Sequence, residues 1–315
     1  MKRSVSLTQK LSTTATILAA VVFVVCLMLF ANLASRHISS PSPTPYSLPP
    51  TPFTHTDTPA FEHGYLTEDY YKRSIAIADD LPTSSEPPIA AIAAHHLIIA
   101  DQVGRIFKAF EQSSPKRIVL ISPNHFSLGP SAIQTTPGKF TTPFGDVFVD
   151  IDAVAELRKN VRLTTIGDLT FEKEHGIASL TPFIAHYFPD VAFLPIALDE
   201  SLSPQDAWAL GEYLATLEDT VVIASIDMVH GEDPESTEIE DRRILSELRD
   251  FPDCEDASCI ERYRIDSNAS LIAIYAYAKA KGASDFKNAY HGTSLEIIPS
   301  APVIDNVSHI LGWFY

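Results

Sequence analysis

Cysteine is scarce in this chain, with three residues among 315. So few cysteines exclude the disulfide framework of a small secreted domain, and no CxxC pair indicates a structural zinc site. Cys26 lies in an apolar N-terminal stretch, whereas Cys254 and Cys259 lie close together in a polar loop. Two interpretations of that loop stay open, since its thiols either pair in an oxidising compartment or remain unpaired.

Basic residues are in deficit as well. The chain has 23 Lys and Arg against 40 Asp and Glu, which gives a formal net charge of −17. Such a surface repels a nucleic-acid backbone instead of releasing its counterions, so we expect no nucleic-acid partner. The sequence also lacks internal repeats, and its length suits one large α/β domain or two small ones.

The N-terminus contains one long apolar segment. Residues 1–10 are basic, and residues 11–34 are almost wholly apolar. The apolar length suits a bilayer span of about 20 residues, and the preceding positive charges predict that the N-terminus stays in the cytoplasm. A cleaved signal peptide is the alternative, although its apolar region is usually shorter and no A-x-A site precedes Ser35.

Residues 35–60 are rich in Pro, Ser and Thr, a composition typical of an extended, semi-rigid linker. From residue 61 the composition becomes globular, and no later break indicates a second domain. We therefore predict one domain over 61–315, attached to the membrane by a single helix in 11–34. The predicted location of this domain is extracytoplasmic.

Apolar runs alternate with helix-like segments after residue 61. The predicted strands are 89–94, 117–122, 147–150, 191–197, 220–225 and 302–309, and the predicted helices are 100–112, 151–159, 178–187, 204–217, 238–250 and 267–281. This alternation is typical of an α/β fold. We expect a single three-layer α/β domain around a mixed, mostly parallel sheet.

Histidines end two of the apolar runs. His95 and His96 follow the run that begins at Ile89, and His125 follows the next run. The carboxyl ends of parallel strands meet at one edge of a sheet, where α/β folds bind ligands. These positions therefore suggest a metal or acid–base site, although any single histidine is more simply a polar residue at a strand end.

Further segments carry groups of the same kind, namely Glu172-Lys-Glu-His175, Asp227-Met-Val-His230, Asp266 and Val307-Ser-His309. Asp227 and His230 follow an apolar strand, where a site residue would lie, but a turn uses the same aspartate. An aspartate at a helix start is commonly a cap, and a Glu-x-Glu-His loop is commonly solvated. Two imidazoles and one carboxylate form the ligand set of facial Fe(II) sites, and imidazole also suits Zn and Cu.

As an ordered set, these segments resemble the Memo family, also called AmmeMemoRadiSam system protein B. The resemblance covers roughly residues 85–315 and is carried by Ile92-Ala-Ala-His95-His-Leu, Ser122-Pro-Asn-His125-Phe, Thr142-Pro-Phe-Gly145, Glu174-His175-Gly-Ile-Ala178, Ser225-Ile-Asp227-Met-Val-His230-Gly231 and Asp305-Asn-Val-Ser-His309. The family is similar in fold to the class III extradiol dioxygenases, so the resemblance implies the same α/β architecture.

The resemblance also implies a metal ion held by two histidines and a cysteine, which fall on His95, His125 and Asp266. Because Asp266 replaces the thiol, the implied ligand set is harder, which disfavours soft Cu(I). Fe(II) is the metal we expect first, with Zn, Mn or Cu as alternatives. Two further departures are Leu97, where the family has Gly, and Ala178, where it has Glu.

Two functions of different classes stay open, together with the outcome that the pocket has lost its metal. The first is a metal-dependent oxidoreductase of the extradiol dioxygenase type, in which His230 and His175 move protons and Asp227 tunes the basicity of His230. The second is a non-catalytic binding or assembly module, whose pocket takes a small molecule or a peptide. The resemblance implies radical-SAM and AMMECR-type partners, which an extracytoplasmic domain would not meet.

Overall fold

The computed structural model describes residues 58–62, 66–260 and 262–315. The predicted basic N-terminus (1–10) and membrane anchor (11–34) lie outside the described residues, as does most of the linker 35–60. Within the described part of the chain, no helix is long and apolar enough to cross a membrane.

The secondary structure is that of a mixed α/β protein. The strands are β1 (Ala60–Glu62), β2 (Ala90–Ala93), β3 (Arg117–Pro123), β4 (Ile133–Thr135), β5 (Lys139–Thr142), β6 (Gly145–Phe148), β7 (Thr164–Ile166), β8 (Ala192–Leu198), β9 (Thr220–Ser225), β10 (Phe286–Thr293) and β11 (Ser308–Phe314). The helices are α1 (Glu68–Asp80), α2 (Ala100–Ala109), α3 (Ile151–Asn160), α4 (Asp168–Phe171), α5 (His175–Ala178), α6 (Thr181–Tyr187), α7 (Pro204–Ala215), α8 (Pro234–Asp250), α9 (Asn268–Ala280) and α10 (Ser294–Ile297).

Eight of the described strands form one sheet in the order β10-β11-β2-β9-β3-β8-β4-β7. The central strands β2, β9, β3 and β8 pair in parallel, whereas β11, β10 and β4 add antiparallel pairs around them. A smaller sheet contains β1, β5 and β6. The predicted α/β class with a mixed sheet is therefore confirmed.

The central strands are buried along their length. Every residue of β2 and β9 is buried, as expected for parallel strands that are covered on both faces. Pro195 lies within β8. Because proline has no N–H, a strand with neighbours paired on both sides would lose a ladder hydrogen bond at this position. Strand β4 pairs with β8 only beyond Pro195, at Ala197 and Leu198, and the Pro195 carbonyl accepts a hydrogen bond from the Thr135 hydroxyl instead.

Two groups of helices pack on this sheet. Helix α2 contacts α1 and α6, whereas α7 packs closely against α9, where a Cβ at Gly211 would collide with the Ala273 carbonyl. The chain runs from β2 through α2 to β3 in one direction across the sheet, and from β8 through α7 to β9 in the other. Because such crossovers are right-handed, the two groups cover opposite faces. This reversal places the crevice for a ligand at the carboxyl ends of the central strands.

The last predicted strand, 302–309, is wrong in position. Val303–Asp305 form a turn of 3₁₀ helix, and β11 begins at Ser308 and continues to Phe314.

Cys254 is disulfide-bonded, so the interpretation with unpaired thiols is wrong. The side chain of Cys259 lies outside the described part of the structure.

Candidate metal centre

The carboxyl ends of the central strands deliver the candidate site. His95 follows β2, His125 follows β3 and Asp227 follows β9, each two residues beyond the last strand residue. Asp266 comes from the loop before α9, where its main-chain N–H donates to the Asp227 carbonyl. The sequence places these residues far apart, and the parallel pairing of β2, β9 and β3 brings them to one edge.

The Asp266 carboxylate joins the two predicted histidine ligands. Its Oδ2 lies 3.2 Å from Nε2 of His95 and 3.7 Å from Nε2 of His125. Ligand atoms around a tetrahedral ion with bonds near 2.1 Å lie roughly 3.4 Å apart, so these spacings suit a common ion. The other oxygen of Asp266, Oδ1, is buried without a hydrogen-bond partner among the described residues. Burial raises the pKa of Asp266, but hydrogen bonds to His125 and His95 lower it to about 2.

Hydrogen bonds fix the orientation of the His95 ring. The Ser225 hydroxyl donates to the Gly176 carbonyl, so its oxygen accepts from Nδ1–H of His95 at 3.0 Å. Nε2 of His95 faces Oδ2 of Asp227 at 3.3 Å as well as Oδ2 of Asp266. Burial lowers the pKa of His95, but the carboxylates of Asp227 and Asp266 raise it above its ordinary value, so this position attracts positive charge. A proton on Nε2 or a metal ion supplies that charge, and binding of the ion would displace the proton. The residues present therefore fit a metal ion.

Hydrogen bonds to Glu174 fix the orientation of the His125 ring. Oε1 of Glu174 accepts from Nδ1 of His125 at 2.7 Å, and Oε2 accepts from the His125 main-chain N–H at 2.9 Å. The expectation of a solvated Glu-x-Glu-His loop is wrong at this position, because Glu174 is fully buried. Burial lowers the pKa of His125, but hydrogen bonds to Asp266 and Glu174 raise it to about 9. A carboxylate that accepts from Nδ1 of a histidine and directs its Nε2 toward the ion is the usual support of a metal ligand, and a bound ion would displace the Nε2 proton of His125.

Two further residues predicted for the site, His175 and Asp227, have ligand atoms close to those of the predicted metal ligands. The His175 ring stacks on His125 with centroids 4.1 Å apart, and the ligand atoms of His95, His125 and His175 lie within 4.8 Å of one another. The same limit holds for His95, Asp227 and Asp266. Burial and the neighbouring rings lower the pKa of His175 to about 4, so its ring is neutral near pH 7. The centre thus has more candidate ligands than the three predicted.

Asp227 does not contact His230 as predicted but contacts the main chain after β2. Oδ1 of Asp227 accepts from the main-chain N–H groups of His95 and His96, at 3.2 and 3.3 Å. No hydrogen bond joins Asp227 to His230 among the described residues. His230 is exposed and pairs with Val307 in an isolated bridge. Asp227 therefore orders the loop after β2, while His230 lies at the edge of the site.

Two cavities meet at the centre. The larger, about 530 Å³, is lined by Leu66, Tyr70, His95, His96, Leu97, Ile98, His125, His175, Ser179, Asp227, His230 and Val307. The smaller, about 370 Å³, lies between the ends of β3 and β8 and the start of α9, and its lining includes Asp266. The two linings share His125. An ion held by these residues would be adjacent to space for a small molecule.

The comparison with known proteins identifies the family of this chain. A family model described as Memo-like protein matches residues 76–304. The chain belongs to the Memo family. A MEMO1 family protein of Caldivirga maquilingensis is 27% identical over 209 residues, which cover 64% of this chain and 71% of the relative. One from Methanopyrus kandleri is 25% identical over 252 residues, or 74% and 85% of the two chains.

A solved structure is also similar to this Memo-family chain. The crystal structure of an uncharacterized protein from Escherichia coli K12 aligns with a TM-score of 0.45 and 14% identity. The alignment covers 72% of this chain and 99% of that one.

Sequence analysis named the segments that contain Glu174 and His309 but assigned neither residue a contact, and it gave Ser225 no role in the Memo-family site. Ser225 and Glu174 hold the two imidazoles, and His309 contacts His96 with nitrogens 3.1 Å apart. Each lies inside a motif that was recognised, so position within the motif was the available signal. Of the departures from the family pattern, Leu97 lines the larger cavity and Ala178 is buried.

Proposed function

We propose that this Memo-family chain binds a divalent metal ion through His95, His125 and Asp266. One observation carries the proposal: Nε2 of His95 faces carboxylate oxygens of Asp227 and Asp266 at 3.3 and 3.2 Å, while its Nδ1 is engaged by Ser225. Asp227 and His175 are further candidate ligands. A bound ion with open positions would supply Lewis-acid or redox chemistry next to the larger cavity.

The ligand set favours a hard or borderline metal. Carboxylate oxygen suits Fe(II) and Mn(II), imidazole suits Zn and Fe, and soft Cu(I) is disfavoured because Asp266 provides oxygen where the family resemblance implies sulfur. We therefore propose Fe(II) first, with Zn and Mn(II) next. Asp266→Cys should move the preference toward Cu(I) and Zn.

Metal analysis of the full chain after anaerobic purification tests this proposal. We expect about one equivalent of metal in the wild type and a loss of at least tenfold in affinity in His95→Ala and Asp266→Ala, since each removes a ligand. His186→Ala is the matched control, because His186 is an exposed histidine on α6. A wild-type chain without stoichiometric Fe, Mn, Zn or Cu would refute the proposal. Metal content that does not depend on Asp266 would refute the third ligand.

The larger cavity favours a second candidate function, oxidation of a small molecule at the metal. Its lining combines the apolar side chains of Leu97 and Ile98 with the rings of His175 and His230, which are placed to hold or move a proton on a bound ligand. Oxygen uptake by the metal-loaded chain with catechols distinguishes this function from a binding or assembly module, including one with radical-SAM or AMMECR-type partners. A module binds metal and ligand without consuming oxygen.

We also propose that the domain lies outside the cytoplasm, attached by the apolar segment 11–34. The basic residues before that segment support this orientation. The disulfide bond of Cys254 supports it independently, because disulfides persist in oxidising compartments.

A further inference from the structure

The smaller cavity, about 370 Å³, borders the candidate metal centre but is not needed to hold the proposed ion. Oδ2 of Asp266 faces the imidazoles of His95 and His125, whereas Oδ1 is buried without a hydrogen-bond partner among the described residues. The side chain of Asp266 is 7% exposed, and Asp266 lines the smaller cavity but not the larger one. A buried carboxylate oxygen without a donor points to a ligand that supplies one.

The first turn of α9 presents hydrogen-bond donors to the same cavity. Asn268 and Ala269 both line it, and neither main-chain N–H has an acceptor among the described residues. The cap of the helix does not engage them, because the Ser267 hydroxyl accepts from the N–H of Ser270. Two free N–H groups at a helix N-terminus favour a negatively charged group. The exposed side chain of Arg262, which belongs to the same lining, favours it as well.

The cavity also carries carboxylates, which argue against a simple anion as its ligand. Glu200 adds a second carboxylate to the lining besides that of Asp266. These two groups would repel an anion, whereas a simple cation would meet Arg262 and leave the N–H groups of α9 without an acceptor. A ligand with one group of each sign is complementary to both sets of groups.

The remaining lining is mainly apolar, which suits a ligand with an apolar body. Its apolar residues are Leu198, Leu202, Pro204, Ile260, Ile265 and Ile272. We propose that the smaller cavity binds the zwitterion of an apolar α-amino acid, whose ammonium group donates to Asp266 and whose carboxylate accepts from the first turn of α9. The exposed side chains of Glu200 and Arg262 complement the two charges. This site goes beyond the proposed metal site and does not require an ion.

Calorimetric titration of the full chain, freed of metal with EDTA, tests the class of ligand with L-leucine as the probe. Isocaproate lacks the ammonium group of leucine, and isoamylamine lacks its carboxylate, so each should bind at least about tenfold more weakly than L-leucine. Failure of L-leucine to bind, or equal binding of either analogue, would overturn the proposal.

Two substitutions at exposed positions of the lining test the location of the site. Arg262→Gln and Glu200→Gln should each weaken binding of L-leucine by about threefold, because each removes one complementary charge. Both should retain the metal content of the wild type, since neither residue is a candidate ligand of the ion. Arg158→Gln is the matched control, because Arg158 is an exposed arginine on α3 outside the lining. Wild-type affinity for L-leucine in either cavity variant would contradict the location.

A titration of the metal-loaded chain separates this site from the metal site, because amino acids also chelate metal ions. L-Leucine that binds only the metal-loaded chain would be a ligand of the ion, and the proposal would be wrong. A chain that binds no metal, but binds L-leucine in a manner that depends on Arg262, would refute the metal site alone.

Discussion

The hydroxyl of Tyr275 is buried in α9 without a hydrogen-bond partner among the described residues. Its ring packs near Phe251 and Phe314, with centroids 5.8 Å away in both cases. Burying a hydroxyl without a partner opposes folding, because the group loses its hydrogen bonds to water. We therefore expect Tyr275→Phe to raise the free energy of unfolding by about 1 kcal/mol, measured by urea denaturation of the full chain.

Tyr277, two residues further along α9, is the matched control. It is also fully buried, but its hydroxyl donates to the Thr220 carbonyl of β9. Tyr277→Phe should lower the free energy of unfolding by about 1 kcal/mol, because it leaves that carbonyl without its partner. If both substitutions change stability in the same direction, hydrogen bonding of the hydroxyl does not decide their effect.

The residue types at strand ends were largely sufficient to predict the side chains that face the candidate metal centre. His95, His125 and Asp227 could be found because each follows an apolar run, and Asp266 because the family resemblance aligned it. What the sequence could not show is which side chain supports which ring. Glu174 looks like a solvated loop residue in the sequence, and only the short helix α5 buries it behind His125. Such contacts depend on tertiary packing, which the local pattern does not encode.

Helix α8 is attached to the edge of the sheet through one buried carboxylate. Oδ1 of Asp241 accepts from the Ser308 hydroxyl of β11 at 2.7 Å, and Oδ2 lies 2.9 Å from Nε2 of His291 in β10. Asp241 is fully buried, while His291 remains partly accessible. The hydrogen bond to Asp241 raises the pKa of His291, against burial, which lowers it, and Glu238 and Glu296 raise it further.

This contact predicts a pH dependence of stability. Because the folded pKa of His291 is raised, its stabilisation is fully present below the unfolded value of about 6.5 and is lost as the pH rises through the folded value. His291→Gln should lower the free energy of unfolding by about 1–2 kcal/mol at acidic pH, and by less at alkaline pH. Urea denaturation at a series of pH values measures the difference, with His186→Gln as control. A difference that is constant with pH would contradict the role of His291.

The strands of the central sheet and the helices that pack on it were the easiest elements to predict from the sequence. Strands β3, β8 and β9 match the predicted segments to within about one residue, because buried parallel strands are continuous apolar runs bounded by polar residues. Helix α8 begins four residues earlier than predicted, since Asp233 caps it and Pro234 occupies its first turn. Strands β4, β7 and β10 were missed, because they are short or polar and acquire their pairing from neighbours that are remote in sequence.

The proposed attachment of the chain to the membrane is testable without knowledge of its reaction. The full-length chain should remain in the membrane fraction after carbonate extraction, because an uncleaved apolar segment of this length inserts stably. A variant that begins at residue 61 should instead be recovered without membrane. Release of the full chain by carbonate, or a mature mass that lacks 11–34, would favour the cleaved signal peptide.

The hydrogen bonds between Asp227, Asp266 and the adjacent main chain have a consequence for measurement. The N–H groups of His95 and His96 both donate to the Asp227 carboxylate, and the N–H of Asp227 donates to Oδ2 of Asp266. The carboxylates that face the imidazoles thus also restrain the backbone after β2, after β9 and before α9. Filling or emptying the centre should therefore change amide hydrogen exchange in all three loops together, so that the backbone itself reports occupancy of the centre.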